Sequence, residues 1–363
     1  MRAIAPRMGR GAAALMLAAV LALPSIATAT ADTKATANPT ATGRIRLDDG
    51  QLQVEVAPAV GGRIVHLSLP GRDNVLKVGP ALTTVPAPEP SADGPDLPYF
   101  GHELWLGPQS RWWLDQDVNQ ARRAAAAPWP PDPWLAHARN RIVERDAHAL
   151  VLEGVASPVS GLQATQSFRL SGGTPATLEL AAEAVNRRDR DVRRNLWFNT
   201  RLPAGSRVFA PVARPEDARL RADADATFDG PVAWWQDGLY SLQLAPPSAG
   251  KSGRRGKIFI VPSAGWVAGF NAGQLLLIRF ERHPDALIDP EHGQVELYQQ
   301  WHQDDPQAGI MELEVHAPLR TLAPGESMQA REHWAVFAYD GPDTLDAQRA
   351  ALEEALRSLG LDR

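Results

Sequence analysis

The sequence predicts an all-β protein, a large antiparallel β-sandwich with one short C-terminal helix. Three observations carry this. Short runs with strict apolar/polar alternation recur from about residue 44 to about residue 340, and that period of two marks half-buried strands. Clusters of Gly, Pro, Asn and Asp separate the runs, as tight turns require. Neither βαβ alternation nor a fixed repeat of ~20–50 residues is visible.

In chain order, the first element is a leader. Arg2, Arg7 and Arg10 form a positive n-region, and Gly11–Pro24 (GAAALMLAAVLALP) is an apolar run of about fourteen residues. A helix needs about twenty residues to cross a hydrocarbon core of ~30 Å, so this run is too short to anchor the chain. Ala27-Thr28-Ala29 and Ala29-Thr30-Ala31 supply the small-x-small pattern of a cleavage site. Residues 1–31 are therefore expected to be a signal peptide cleaved near residues 29–31. The mature protein is expected to be periplasmic or secreted, with no stable membrane insertion. No cysteine follows the apolar run for lipid attachment, and no twin arginine precedes it. Residues 32–43 (DTKATANPTATG) read as a flexible lead-in.

About 330 mature residues can bury one large core or two ordinary ones. Cleavage would remove three arginines and no acid, moving the net charge from −5 to −8. That sign argues against a nucleic-acid partner, which needs a basic face. The absence of cysteine excludes disulfides and thiolate chemistry.

Residues 44–340 form the predicted sandwich. GQLQVEVAP, RIVHLSL, ALVLEGV, LQATQSFRL, TLELAAEAV, KIFIVP, LLLIRFE, VELYQQW, IMELEVHAPL and EHWAVFAY all read as strands. Residues 79–98 carry six prolines and are expected to loop over one face. Residues 246–257 (PPSAGKSGRRGK) read as a polar, mobile connector. Within 341–363, Leu345, Leu352, Leu356 and Leu359 share a helix face, Asp343 or Thr344 can cap its start, and Gly360 can end it. This helix is expected to pack across an open edge or end of the sandwich.

Most catalytic signatures are absent. His102-Glu103 begins an H-E-x-x-H pattern, but position 106 is Leu, so a zinc-protease site fails. His302, Asp304 and Asp305 have metal-ligand chemistry, yet an acidic turn ending at Pro306 is more often simply solvated. No metal and no cofactor are expected.

Two segments stand out. Five of the eleven tryptophans fall between Trp105 and Trp134, in YFGHELWLGPQSRWW and APWPPDPWLAH. Glycines and prolines keep long helices out of this stretch, so the indoles must either pack beneath a sheet or line a cleft. Indole faces stack on the C–H faces of sugar rings, and neighbouring polar groups hydrogen-bond hydroxyls. His102, Glu103, Trp105 and Gln109 interleave polar and aromatic character and point to a cleft, with Trp134 a further candidate. For Trp112, Trp113 and Trp129, cleft and hydrophobic plug are equally compatible. The second segment is IMELEVH. Alternation puts Met311, Leu313 and Val315 on one face and Glu312, Glu314 and His316 on the other. Two carboxylates on one face suit a general base and its supporter, although the pattern alone fits a solvent-exposed strand face somewhat better. Gln299, Gln300, Trp301 and His302 are candidates to share that face.

Taken together, GGRIVHLSLPGRDNVL, GHELWLGPQ, WPPDPW, AVNRRDRDVRRNLWFNTRLP and MELEVHAPLRTLAPGES resemble the galactose-mutarotase-like superfamily of aldose 1-epimerases and glucose-6-phosphate 1-epimerase-like proteins. The chain resembles more closely a bacterial branch known as a domain of unknown function, over roughly residues 45–338. The resemblance implies a supersandwich with a saccharide cleft on the concave face of one sheet. It also implies that Glu314, just before the L-x-PGE turn, is a general base, and that His102 contacts the sugar. The family's second histidine, its general acid, is expected on the strand after Asn186, where this chain has Trp197. Arg201 on the same strand can supply a cation. Loss of that histidine favours a saccharide-binding protein over an epimerase, and a structural envelope protein is the third reading.

Overall fold

The computed structural model describes residues 43–361. The expected leader (1–31) and all but the last residue of the lead-in lie outside the described residues. Two large sheets pack face to face. The first has eleven strands; its main path runs Ile45–Asp48, Gln53–Ala57, Arg63–Ser68, His102–Gly107, Val192–Pro203, Ile310–His316, Val295–His302, Gly253–Ile260 and Ala218–Ala222. The second has ten, from Val232–Gln236 at one edge to Arg141–Arg145 at the other. Pairing is antiparallel except for Phe228–Asp229, which runs parallel to Gly253–Ile260.

Alternation decides what each strand buries. Leu104, Leu106, Leu196, Phe198, Leu297, Leu313 and Ile258 point from the first sheet into one core, where they meet Leu178, Leu180, Leu276, Ile278 and Trp334 of the second. Their sequence neighbours necessarily point to the outer face of the first sheet. There a separate cluster of Trp105, Trp112, Trp113, Trp197 and Val159 forms, built largely from the segment that follows His102–Gly107.

The C-terminal helix, Leu345–Ser358, is capped by the Thr344 side chain, as expected. Its placement differs from the expectation. Leu352, Ala355 and Leu356 are buried against Phe209, Trp266, Phe270 and Leu277, so the helix covers the outer face of the second sheet rather than an edge or end. That face carries a patch of large apolar side chains, which only a broad cover can remove from water. Among the described residues no helix is long and apolar enough to cross a membrane.

The connector 246–257 is also corrected. Its last five residues belong to the strand Gly253–Ile260, where they pair with Gln299–His302 and Tyr298. Arg254 is fixed by the carbonyls of Ala245, Gly230 and Pro246.

Candidate functional site

The site lies on the outer face of the first sheet. Phe100 and Gly101 both have positive φ, 55° and 74°. A Cβ on Gly101 would lie 2.3 Å from the Ile64 carbonyl oxygen, so only glycine permits this turn. The turn sets the phase of His102–Gly107, which sends Glu103 and Trp105 outward and His102, Leu104 and Leu106 inward. On the facing strand Val192–Pro203, Trp197, Asn199 and Arg201 point outward by the same rule.

Register then assembles two rows. One row runs Arg201, Glu312, Tyr298, Lys257, Arg221; the next runs Glu103, Asn199, Glu314, Glu296, Phe259, Arg219. Arg201 and Glu312 meet as direct cross-strand neighbours, the favourable arrangement on a sheet face, whereas Glu314 and Glu296 stand directly opposite one another and need the Lys257 ammonium from the adjacent row to offset their repulsion. Arg201 Nε donates to Glu312 Oε1 at 2.7 Å, and its Nη1 donates to Glu103 at 2.5 Å. Arg63 holds the other Glu103 oxygen at 2.6 Å. Lys257 Nζ donates to Glu296 at 2.8 Å and to Glu314 at 2.9 Å. All of these carboxyls and Arg63 and Arg201 are buried.

Burial alone would raise the Glu103 carboxyl, but the Arg63 and Arg201 guanidiniums outweigh it and hold it at about 2. Glu314 goes the other way. Burial and the nearby Glu312 and Glu296 charges push it well above the ordinary carboxylate range, with Lys257 opposing only in part. Glu296 is driven well below that range, because Lys257, His316 and His292 together overcome its burial. One ammonium between two carboxyls therefore leaves one ionised and one protonated. With Glu314 neutral, Arg63, Arg201 and Lys257 are balanced by Glu103, Glu312 and Glu296.

A cavity of about 480 Å³ opens above these rows, lined by Glu103, Trp105, Gln109, Trp129, Trp197, Arg201, Lys257, Tyr298 and Glu312, with Asp96–Pro98 of the proline-rich loop on its rim. Trp129 is 47% exposed, and its ring lies 6.0 Å from both Trp105 and Trp112. The indole N–H groups of Trp105 and Trp197 are buried and have no partner. Trp112 and Trp113 are instead plugs, their N–H groups donating to the carbonyls of Leu106 and Pro130.

Of the residues expected to form the site, Glu103, Trp105, Gln109, Trp197, Arg201 and Glu312 come together at this cavity. Three do not. His102 faces the inter-sheet core, hydrogen-bonded to Thr200 and edge-on to Trp334, and burial lowers its pKa to about 3. Trp301 lies one residue out of phase with Tyr298 and Gln300, so its side chain leaves the opposite face of the strand. Trp134 packs behind the tryptophan cluster. Glu314 is on the expected face but is fully buried under Lys257 rather than on the cavity wall. Lys257, Arg63, Glu296 and His292 were not anticipated. The alternation of KIFIV, which sets Lys257 and Phe259 against Ile258 and Ile260, was the available signal for Lys257.

Among the described residues, one group has metal-ligand chemistry: His292, Glu296 and His316, whose ligand atoms lie within 4.8 Å of one another. One Glu296 oxygen already accepts from His292 and the other from Lys257, so a cation there would meet an ammonium on its principal carboxylate.

The architecture matches solved structures of the galactose-mutarotase-like fold. A galactose mutarotase-like protein from Lactobacillus casei superposes with a TM-score of 0.50 at 11% identity, over 81% of this chain and all of its own. A Klebsiella pneumoniae protein named provisionally as an aldose 1-epimerase gives 0.52 at 13% identity, over 87% of this chain and 84% of its own. The Slr1438 protein of Synechocystis gives 0.51 at 13% identity, over 84% and 97%. No curated protein matches in sequence. The chain belongs to the family described as Domain of unknown function (DUF4380), which matches residues 42–337.

Proposed function

We propose that this is an exported saccharide-binding protein, periplasmic or secreted, with its ligand in the cavity on the outer face of the first sheet. The observation that carries the reading is the juxtaposition of an exposed indole platform, Trp129 over Trp105 and Trp112, with polar groups held rigidly by ion pairs. Aromatic faces suit sugar C–H surfaces. The lining side chains of Gln109, Tyr298 and Glu312 suit hydroxyls. The leader read from residues 1–31 supports export.

A carbohydrate-active enzyme of the epimerase type, with Glu314 as base, is the second reading. In its favour, Glu314 Oε1 has no hydrogen-bond partner. Against it, Lys257 stands over the carboxyl, and a protonated Glu314 cannot accept a proton. The experiment is a heat-shift and calorimetric screen of the purified protein against monosaccharides and glycans, with NMR of anomer exchange on any hit. Binding without accelerated exchange is expected. Acceleration abolished by Glu314→Gln would establish the enzyme instead, and a panel with no binder at all would reject both.

A further inference from the structure

The cavity does not end at Lys257. A second hollow of about 480 Å³ shares Gln109, Arg221 and Lys257 with the first, and is further lined by Arg219, Phe259, Glu291 and His292. The two form one trough that runs outward to the edge strand Ala218–Ala222. At that edge the charges are no longer paired. The Arg219 and Arg221 guanidiniums rest on the Phe259 ring, 4.6 and 4.7 Å from its centroid. Among the described residues neither takes part in an ion pair or hydrogen bond. The other charged groups of the trough are committed. Lys257 holds Glu296 and Glu314, His292 holds Glu296, Ser110 holds Glu291, and Asp223 pairs with Arg255.

We propose that the ligand is an acidic saccharide, whose carboxylate or sulfate is clamped by Arg219 and Arg221 while its ring lies toward Trp129. The inference rests on the saccharide reading given above. Alternate positions of one edge strand thus bring two unpaired guanidiniums to one aromatic ring, and guanidinium geometry matches carboxylate and sulfate oxygens. Stacking on Phe259 limits the freedom each side chain would otherwise lose on binding. An uncompensated pair of cations also stands out in a chain of net charge −5, which would otherwise repel an acidic ligand.

The test is calorimetry on the purified protein with uniform trisaccharides of galacturonate, glucuronate and mannuronate, each against its carboxyl-reduced neutral counterpart. A sulfated galactose disaccharide with its unsulfated form, and inorganic sulfate alone, complete the set. At least one acidic member should bind tenfold or more tighter than its neutral counterpart. Arg219→Gln/Arg221→Gln should erase that gap with the melting temperature unchanged, since both side chains are exposed. Neutral and acidic forms binding alike, or a preference that survives the double substitution, would overturn the clamp and leave the saccharide reading standing. Sulfate binding lost in the double variant, with no saccharide bound, would keep the clamp and sink the saccharide reading. No binding in any arm would overturn both.

Discussion

Arg201→Met removes the cation shared by Glu103 and Glu312 while keeping most of the side-chain volume. Arg201 is 4% exposed and its partners are 8% and 9% exposed at their side chains, so solvent cannot replace the lost contacts. Breaking a buried pair by removing one partner costs about 3–5 kcal/mol. Glu103 keeps Arg63, so the damage falls mainly on Glu312. For a domain of this size that corresponds to roughly 4–8 °C in melting temperature. Adding Glu312→Gln separates electrostatics from packing: with the orphaned carboxyl replaced by an amide, the double variant should recover part of the loss. Scanning calorimetry of the parent, the single and the double variant measures this. An unchanged melting temperature in the single variant, or no recovery in the double one, would refute the claim that Arg201 organises the cavity floor by charge.

Glu332 is buried in the inter-sheet core with Trp334 Nε1 donating to it at 2.8 Å, and burial raises its pKa to about 8. Its folded value exceeds the unfolded one, so its contribution is complete below about pH 4.5 and is lost as pH rises toward 8. Glu332→Gln keeps the acceptor for Trp334 and should flatten the decline in melting temperature between about pH 5.5 and 8.5; an unaltered decline would contradict the assignment. Glu314→Gln mimics the protonated carboxyl and should change stability by less than about 1 kcal/mol, whereas Glu296→Gln removes an ionised partner of Lys257 and should cost about 3 kcal/mol or more by urea unfolding. Equal effects would mean that the proton is not on Glu314. Trp129→Ala should weaken any saccharide hit by about 1–3 kcal/mol and leave stability intact, while Trp113→Ala, fully buried, should cost about 3–5 kcal/mol of stability.

The strands were legible because one face of each sheet is apolar. Met311, Leu313 and Val315 against Glu312, Glu314 and His316 is as clear a pattern in the sequence as in the fold. The face each set occupies is less accessible to sequence. In HELWLG both sets mix apolar and polar groups, and periodicity groups His102 with Leu104 without saying that this set meets the core. Trp301 fails for the same reason. Lys257 was hidden by its neighbours: Gly, Ser, Arg and Lys in KSGRRGK look like a solvated connector. Only the carboxylates brought up by strands far away in sequence make burial of that ammonium tolerable. Arg63 is similarly justified by partners far away in sequence, its charge by Glu103 forty residues on and its donors by the Phe100 and Ala136 carbonyls. Long-range charge compensation leaves no local mark.

An open sandwich has four sheet edges, and an unprotected edge is a template for another chain. Three of these edges carry charge: Arg46 and Asp48 on one, Arg219 and Arg221 on another, and Arg141, Glu144 and Arg145 on a third, which is also interrupted by a bulge between Ile142 and Glu144. The fourth, Val232–Gln236, reads VAWWQ, has no ionisable group, and leaves Trp235 37% exposed. Among the described residues VAWWQ is therefore the sheet edge least defended against strand addition, and Ala233→Lys is the economical substitution to guard it.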